Sequence, residues 1–148
     1  MAIDDPQNLP FLLVDAEAPV SASSPWTHVK ARPGDGWTKP ADATDDHLHL
    51  MVQCMESWLI ADRNAVSGFY GQGFKATVLA APGTLIETVA KQDVLTKLGQ
   101  ATKGTKTKGP YSKGAHSFDL LKSLDAKLLC KASPWADRFF STLQQRLP

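Results

Sequence analysis

Asp15 and Glu17 stand two residues apart behind the apolar run Phe11-Leu12-Leu13-Val14. Carboxylates at i and i+2 of an extended segment point the same way. Such a pair suits a hard cation, Mg²⁺ in particular, which takes oxygen ligands and keeps several waters. An ion held there would polarise a phosphoryl oxygen or orient an attacking water. The spacing alone also fits a loop-initiating aspartate beside a solvated glutamate. Glu56 is the third carboxylate of interest, because Met55, Trp58, Leu59 and Ile60 surround it in the chain. A carboxylate buried in such company needs a metal or a counter-ion. Arg63 or a lysine of the basic segment would serve as the counter-ion.

Lys103, Lys106, Lys108 and Lys113 with Tyr111 read as a phosphate-binding strip. Lysines neutralise backbone phosphates, and a tyrosine ring stacks on a base. His116 follows three residues after Lys113, and a histidine titrates near neutrality, as a general acid or base must. The plainer reading of the same residues is a solvated loop and a histidine at a helix start.

Other clusters read as structural. His47 and His49 follow Asp45 and Asp46, but lack the i, i+4 spacing of helical zinc sites, so they read as polar residues at a strand edge. Asp62 reads as a helix N-cap. Cys54 and Cys130 have neither ligand spacing nor a disulfide pattern, and read as buried thiols. No Walker loop, dinucleotide fingerprint or Gly-x-Ser-x-Gly elbow occurs.

The elements that must position these residues fit one domain spanning residues 1–148. Charge divides it. Residues 1–90 hold 11 acids and 5 bases, net −6; residues 91–131 hold nine lysines and three aspartates, net +6. An acidic half suits a cation, and a basic segment suits an anionic partner, nucleic acid above all. No apolar run is long enough for a membrane span, and no secretory pattern opens the chain, so the reading is cytoplasmic, without a membrane partner.

Residues 11–14 form an apolar run without alternation, the pattern of a central parallel strand buried on both faces. Asp15 and Glu17 then lie at its C-terminal end, where open α/β sheets place their ligands. Residues 18–46, with four prolines, read as a long irregular connection pinned by Trp26 and Trp37. A second strand is expected at 48–53, a helical turn at 54–60, and helices near 63–70 and 91–100. The stretch 101–114 reads as a flexible basic loop. Three helices follow: 115–123 with Phe118, Leu120 and Leu121; 125–131; and one opened by Ser133-Pro134, with Trp135, Phe139, Phe140 and Leu143 as its apolar stripe.

FLLVDAEAPV at residues 11–20, MVQCMESWLIADRNAVSGFYGQG at 51–73, and residues 91–95 with GPYSKGAHSFDLL further on resemble three blocks of a bacterial family, domain of unknown function family 4276, over about residues 9–143. The resemblance implies a Toprim-like three-layer α/β fold, with a small mostly parallel sheet and a helical C-terminal part at about 91–148. Toprim domains are metal-dependent folds of nucleases, primases and topoisomerases. The family likeness further implies an ATPase partner and a role in defence against phage. It places Asp15-Ala16-Glu17 at the Asp-x-Asp position of a Toprim site and the remaining glutamate upstream of Met1. The expectation is an N-terminally shortened member whose incomplete sheet pairs with a second copy, as a homodimer, or with a partner chain. Two functions follow. One is a Mg²⁺-dependent phosphodiesterase or nuclease, with Asp15, Glu17 and Glu56 on the metal and Glu56, Lys113 and His116 at the reacting phosphate. The other is a non-catalytic module that binds a partner protein or nucleic acid.

Overall fold

A computed structural model describes residues 10–147. The polar lead at 1–9 lies outside the described residues. Two strands, β1 (Leu12–Asp15) and β2 (Leu48–Met51), pair in parallel with Leu12 opposite Leu48 and Asp15 opposite Met51. The ladder continues past the strands, as Ala16 N donates to Met51 O (3.0 Å) and Glu17 N to Gln53 O (2.7 Å). Seven α-helices complete the mixed α/β fold among the described residues: α1 (Pro25–Ala31), α2 (Met55–Leu59), α3 (Arg63–Tyr70), α4 (Lys91–Thr102), α5 (Lys113–Ser123), α6 (Ala126–Ala132) and α7 (Pro134–Arg146). None of them is long and apolar enough to cross a membrane.

Strand alternation sorts the core into two clusters. Ala16, Leu48, Leu50 and Val52 join Trp26 and Val29 of α1, with Leu12 and Val14 packed alongside. Leu13 and Met51 face the other way, onto the larger cluster built from α2 to α7. The sheet thus has α1 on one face and most of the helical part on the other, with Trp135 of α7 reaching the α1-side cluster, a small parallel sheet with a helical C-terminal part as expected. Burial of β1 on both faces is corrected: all four of its residues are half-buried, because the strand has one hydrogen-bonded neighbour among the described residues.

The connection at 18–46 is also more ordered than its prolines imply. It holds α1, opened by Pro25 after Ser24, the same Ser-Pro start that opens α7. Trp26 and Trp37 do anchor it; the indole N–H of Trp26 donates to Thr44 O (2.9 Å). His28 and Arg32 reach from α1 to the carbonyls of Ala16 and Asp15, each at 2.8 Å. They satisfy the acceptors that β1 would otherwise leave bare at its C-terminal end.

The stretch at 101–114 is a second correction. Thr102 and Thr105 are buried, and their hydroxyls do the work of apolar anchors. Tyr111 N donates to Thr102 Oγ1 (2.8 Å), and the Thr105 hydroxyl lies 2.9 Å from both Thr102 O and Gly109 O. Lys106 N donates to Gln72 O (3.0 Å), so the segment is laced to the turn after α3. Phe118 departs from its expected apolar role: it stands 79% exposed on the outer face of α5. Cys130 is half-buried, while Cys54 is buried.

That lacing depends on Gly73. Its φ is +93°, and a Cβ there would run into the Gly104 carbonyl. Gly71, at φ +68°, has open space around the same position. Gly71→Ala should therefore lose only the glycine-favoured backbone conformation, about 1–3 kcal/mol. Gly73→Ala adds a backbone clash and should cost clearly more, about 3 kcal/mol or above. Urea denaturation of the two variants checks the order.

Candidate active site

Asp15 closes β1, so the strand delivers its carboxylate to the C-terminal edge of the sheet. Glu56 lies in the first turn of α2, whose burial against the helical cluster takes the side chain down to 2% exposure. Asp15 itself fixes the start of that helix, because its Oδ1 accepts the backbone N–H of Met55 (2.8 Å). The two carboxylates therefore arrive together by construction.

Lys113 and Tyr111 reach the pair from the end of the laced segment. Lys113, the first residue of α5, places Nζ 3.8 Å from Asp15 Oδ2 and 3.7 Å from Glu56 Oε1. Its side chain is 65% exposed. The Tyr111 hydroxyl donates to Glu56 Oε1 (3.0 Å). Glu56 thus has the lysine partner from the basic segment that its burial demands; Arg63 turns elsewhere, to Ala76 O. Tyr111 is half-buried, and its hydroxyl positions Glu56, which differs from the base-stacking role read from the sequence.

The electrostatics follow the geometry. Burial raises the Asp15 carboxyl above its ordinary value, and the charges of Glu17 and Glu56 push it further up. The Met55 N–H and the Lys113 ammonium oppose that rise. Burial, then the charge of Glu56 and the hydrogen bond to it, hold the Tyr111 phenol well above its usual range. Asp15 feels both glutamates, so the three carboxylates share one field.

Glu17 stands apart in contacts. Its backbone has φ +69°, and its side chain forms an ion pair with Lys91 at the start of α4. Among the described residues no three His, Cys, Asp or Glu side chains converge closely enough to hold one ion. Asp15 and Glu56 converge as a pair. A pair meets the needs of Mg²⁺, which is commonly held by one or two carboxylates plus water and substrate oxygens.

His116 sits one turn into α5. Its Nδ1 lies 3.3 Å from Ser112 N and 3.0 Å from the Tyr70 hydroxyl. A backbone N–H can only donate, so Nδ1 carries the lone pair and the neutral ring holds its proton on Nε2. Tyr70 is buried, which pushes its phenol up to about 12 and keeps it a donor. Nothing in the sequence pattern pairs Tyr70 with His116. Lys103, Lys106 and Lys108 are exposed, and Lys108 Nζ sits 4.6 Å above the Phe69 ring, whose edge meets His116.

The remaining candidates are structural. Asp62 caps α3 through Ala65 N (3.1 Å) and also accepts Asp125 N (2.9 Å). His47 and His49 are buried, which corrects the strand-edge reading. His47 Nδ1 accepts Thr44 N (2.8 Å), and His49 bridges Asp46 O and Arg138 of α7. Burial holds the His49 ring below its usual range, and the nearby Arg138 charge works the same way. A cavity of about 230 Å³ between the α2–α3 junction and α6 contains none of Asp15, Glu17 or Glu56.

Fold and site together define a small α/β domain with a lysine-bridged carboxylate pair at the end of a parallel strand. The chain belongs to the family described as Domain of unknown function (DUF4276), whose model it matches over residues 2–144. No curated protein and no solved structure is significantly similar to it.

Removing the ammonium exposes the cost of keeping Asp15 charged. A carboxyl raised in the folded state weighs against folding increasingly as pH climbs above 3.8, and Lys113 offsets that weight. Lys113→Met should therefore destabilise more at pH 7 than at pH 4. The loss at pH 7 should be about 1 kcal/mol, since the lysine is largely exposed. Thermal melts at the two pH values check it; an equal loss at both would contradict the pairing.

Proposed function

We propose that the chain is a Mg²⁺-dependent phosphodiesterase or nuclease of Toprim-like type. The observation that carries this reading is the convergence of Asp15 and Glu56 on one cation position at the C-terminal edge of β1. Asp15 Oδ2 and Glu56 Oε1 would hold the ion, and Glu17 adds negative field from alongside. When bound, the ion supplies charge neutralisation at a phosphoryl oxygen. Tyr111 keeps Glu56 in place. Lys113 meets the substrate phosphate, and the exposed Lys103, Lys106 and Lys108 extend the contact along a nucleic-acid backbone. His116, with its proton on Nε2, would donate a hydrogen bond to a substrate phosphate oxygen. The resemblance read from the sequence further implies a role in phage defence beside an ATPase partner, and the lack of a secretory pattern or long apolar run implies a cytoplasmic setting.

A second reading has one observation in its favour. Glu17 is already paired with Lys91, and Lys113 already partners the other two carboxylates. A domain with its charges so balanced would serve as a non-catalytic module for nucleic acid or a partner protein, and its two-stranded sheet offers edges for a second copy.

Calorimetric titration of Mn²⁺ separates the two. The wild type should bind weakly. Asp15→Asn keeps an acceptor for Met55 N, and Glu56→Gln keeps one for Tyr111, so both variants should fold and bind at least about tenfold more weakly, a loss that even outer-shell changes reach at metal sites. Equal binding by all three proteins would overturn the metal reading.

A further inference from the structure

Lys113 occupies a position at odds with simple phosphate binding. Its Nζ lies almost equally far from Asp15 Oδ2 and Glu56 Oε1, at 3.8 and 3.7 Å. Both distances lie beyond ordinary N–H···O contact, so the ammonium is held by charge more than by directed hydrogen bonds. The side chain is 65% exposed, while Glu56 is 2% exposed. The carboxylates are thus fixed, and their cation sits on a flexible stem that solvent can take back.

We propose that Lys113 is a tethered counter-ion that a divalent cation displaces, so that arrival of the metal releases the lysine toward an anionic substrate. The inference rests on the metal-site reading above. Charge favours the exchange. Asp15 and Glu56 bring two negative charges, and Glu17 is matched by Lys91. One ammonium leaves the pair a charge short, whereas one divalent ion balances it. The fixed parts do not depend on Lys113: Asp15 is oriented by Met55 N and Glu56 by Tyr111. The seat survives when the ammonium leaves. The released ammonium stays at the first turn of α5, the turn that also carries His116. Without metal, the lysine screens two carboxylates that would repel a phosphate. With metal, the same lysine becomes an attractive charge beside it. The site would bind cation and anion in order, metal first.

Three proteins decide this by Mn²⁺ calorimetry: wild type, Lys113→Met and Lys91→Met. The last removes a nearby positive charge that is not in the seat, and so controls for the general field. Exchange predicts that Lys113→Met binds Mn²⁺ about threefold or more tightly than wild type, the scale of one half-exposed ion pair. Lys91→Met should change affinity less. In wild type, the Lys113 side-chain methylene resonances should move on Mg²⁺ addition with the midpoint of the calorimetric titration. If wild type and Lys113→Met bind equally, or Lys113→Met binds more weakly, the exchange is wrong while the metal reading stands. If both lysine variants tighten alike, the field alone explains the gain and the exchange is again wrong. If none of the three binds, the carboxylate pair takes no divalent ion even without Lys113, and both readings fall.

Discussion

A carboxylate at the end of a half-buried strand must find partners, and Asp15 finds two of different kinds. One oxygen takes the Met55 N–H and so sets where α2 begins. The other faces the Lys113 ammonium and so meets the start of α5. A single side chain therefore ties β1 to two helices that are about 40 and 100 residues away in sequence. Through α2 it also brings in Glu56, a buried carboxylate whose partners are the Tyr111 hydroxyl and the Lys113 ammonium. The site and the packing of the helical layer are the same set of contacts.

That shared dependence explains why the basic segment is ordered. Composition alone gives 101–114 the look of a solvated linker. Yet Tyr111 and Lys113 can reach Glu56 only if the segment before them is held. Thr102 and Thr105 hold it by short-range hydrogen bonds, and the close passage of Gly73 and Gly104 fixes where it turns. The lysines that remain exposed, Lys103, Lys106 and Lys108, ride on a defined frame.

Much of this frame is legible in the residues themselves. The run before Asp15, the Asp62 cap and the Ser133-Pro134 start each name their element, because apolar runs and capping side chains act locally. Glu56 is legible as buried and paired from its neighbours alone. What escapes the sequence is longer in range. Helix α1 hides among prolines because seven residues offer only Pro25, Trp26 and Val29 as a buried face. Thr102 and Thr105 read as solvent-loving, and only their partners reveal them as anchors. The Tyr70–His116 contact joins residues 46 positions apart and leaves no local pattern. Glu17 shares the spacing of a ligand with Asp15, but its backbone at φ +69° turns the side chain to Lys91.

The central claim is that Asp15 and Glu56 form one cation seat, held by Lys113 until a metal replaces it. Anomalous diffraction from crystals grown with Mn²⁺ locates such an ion directly. The seat predicts a manganese peak between Asp15 Oδ2 and Glu56 Oε1, with the Lys113 side chain swung out of the gap. Full-strength Lys113 density still in the gap, with no manganese peak at Asp15 and Glu56, would contradict it.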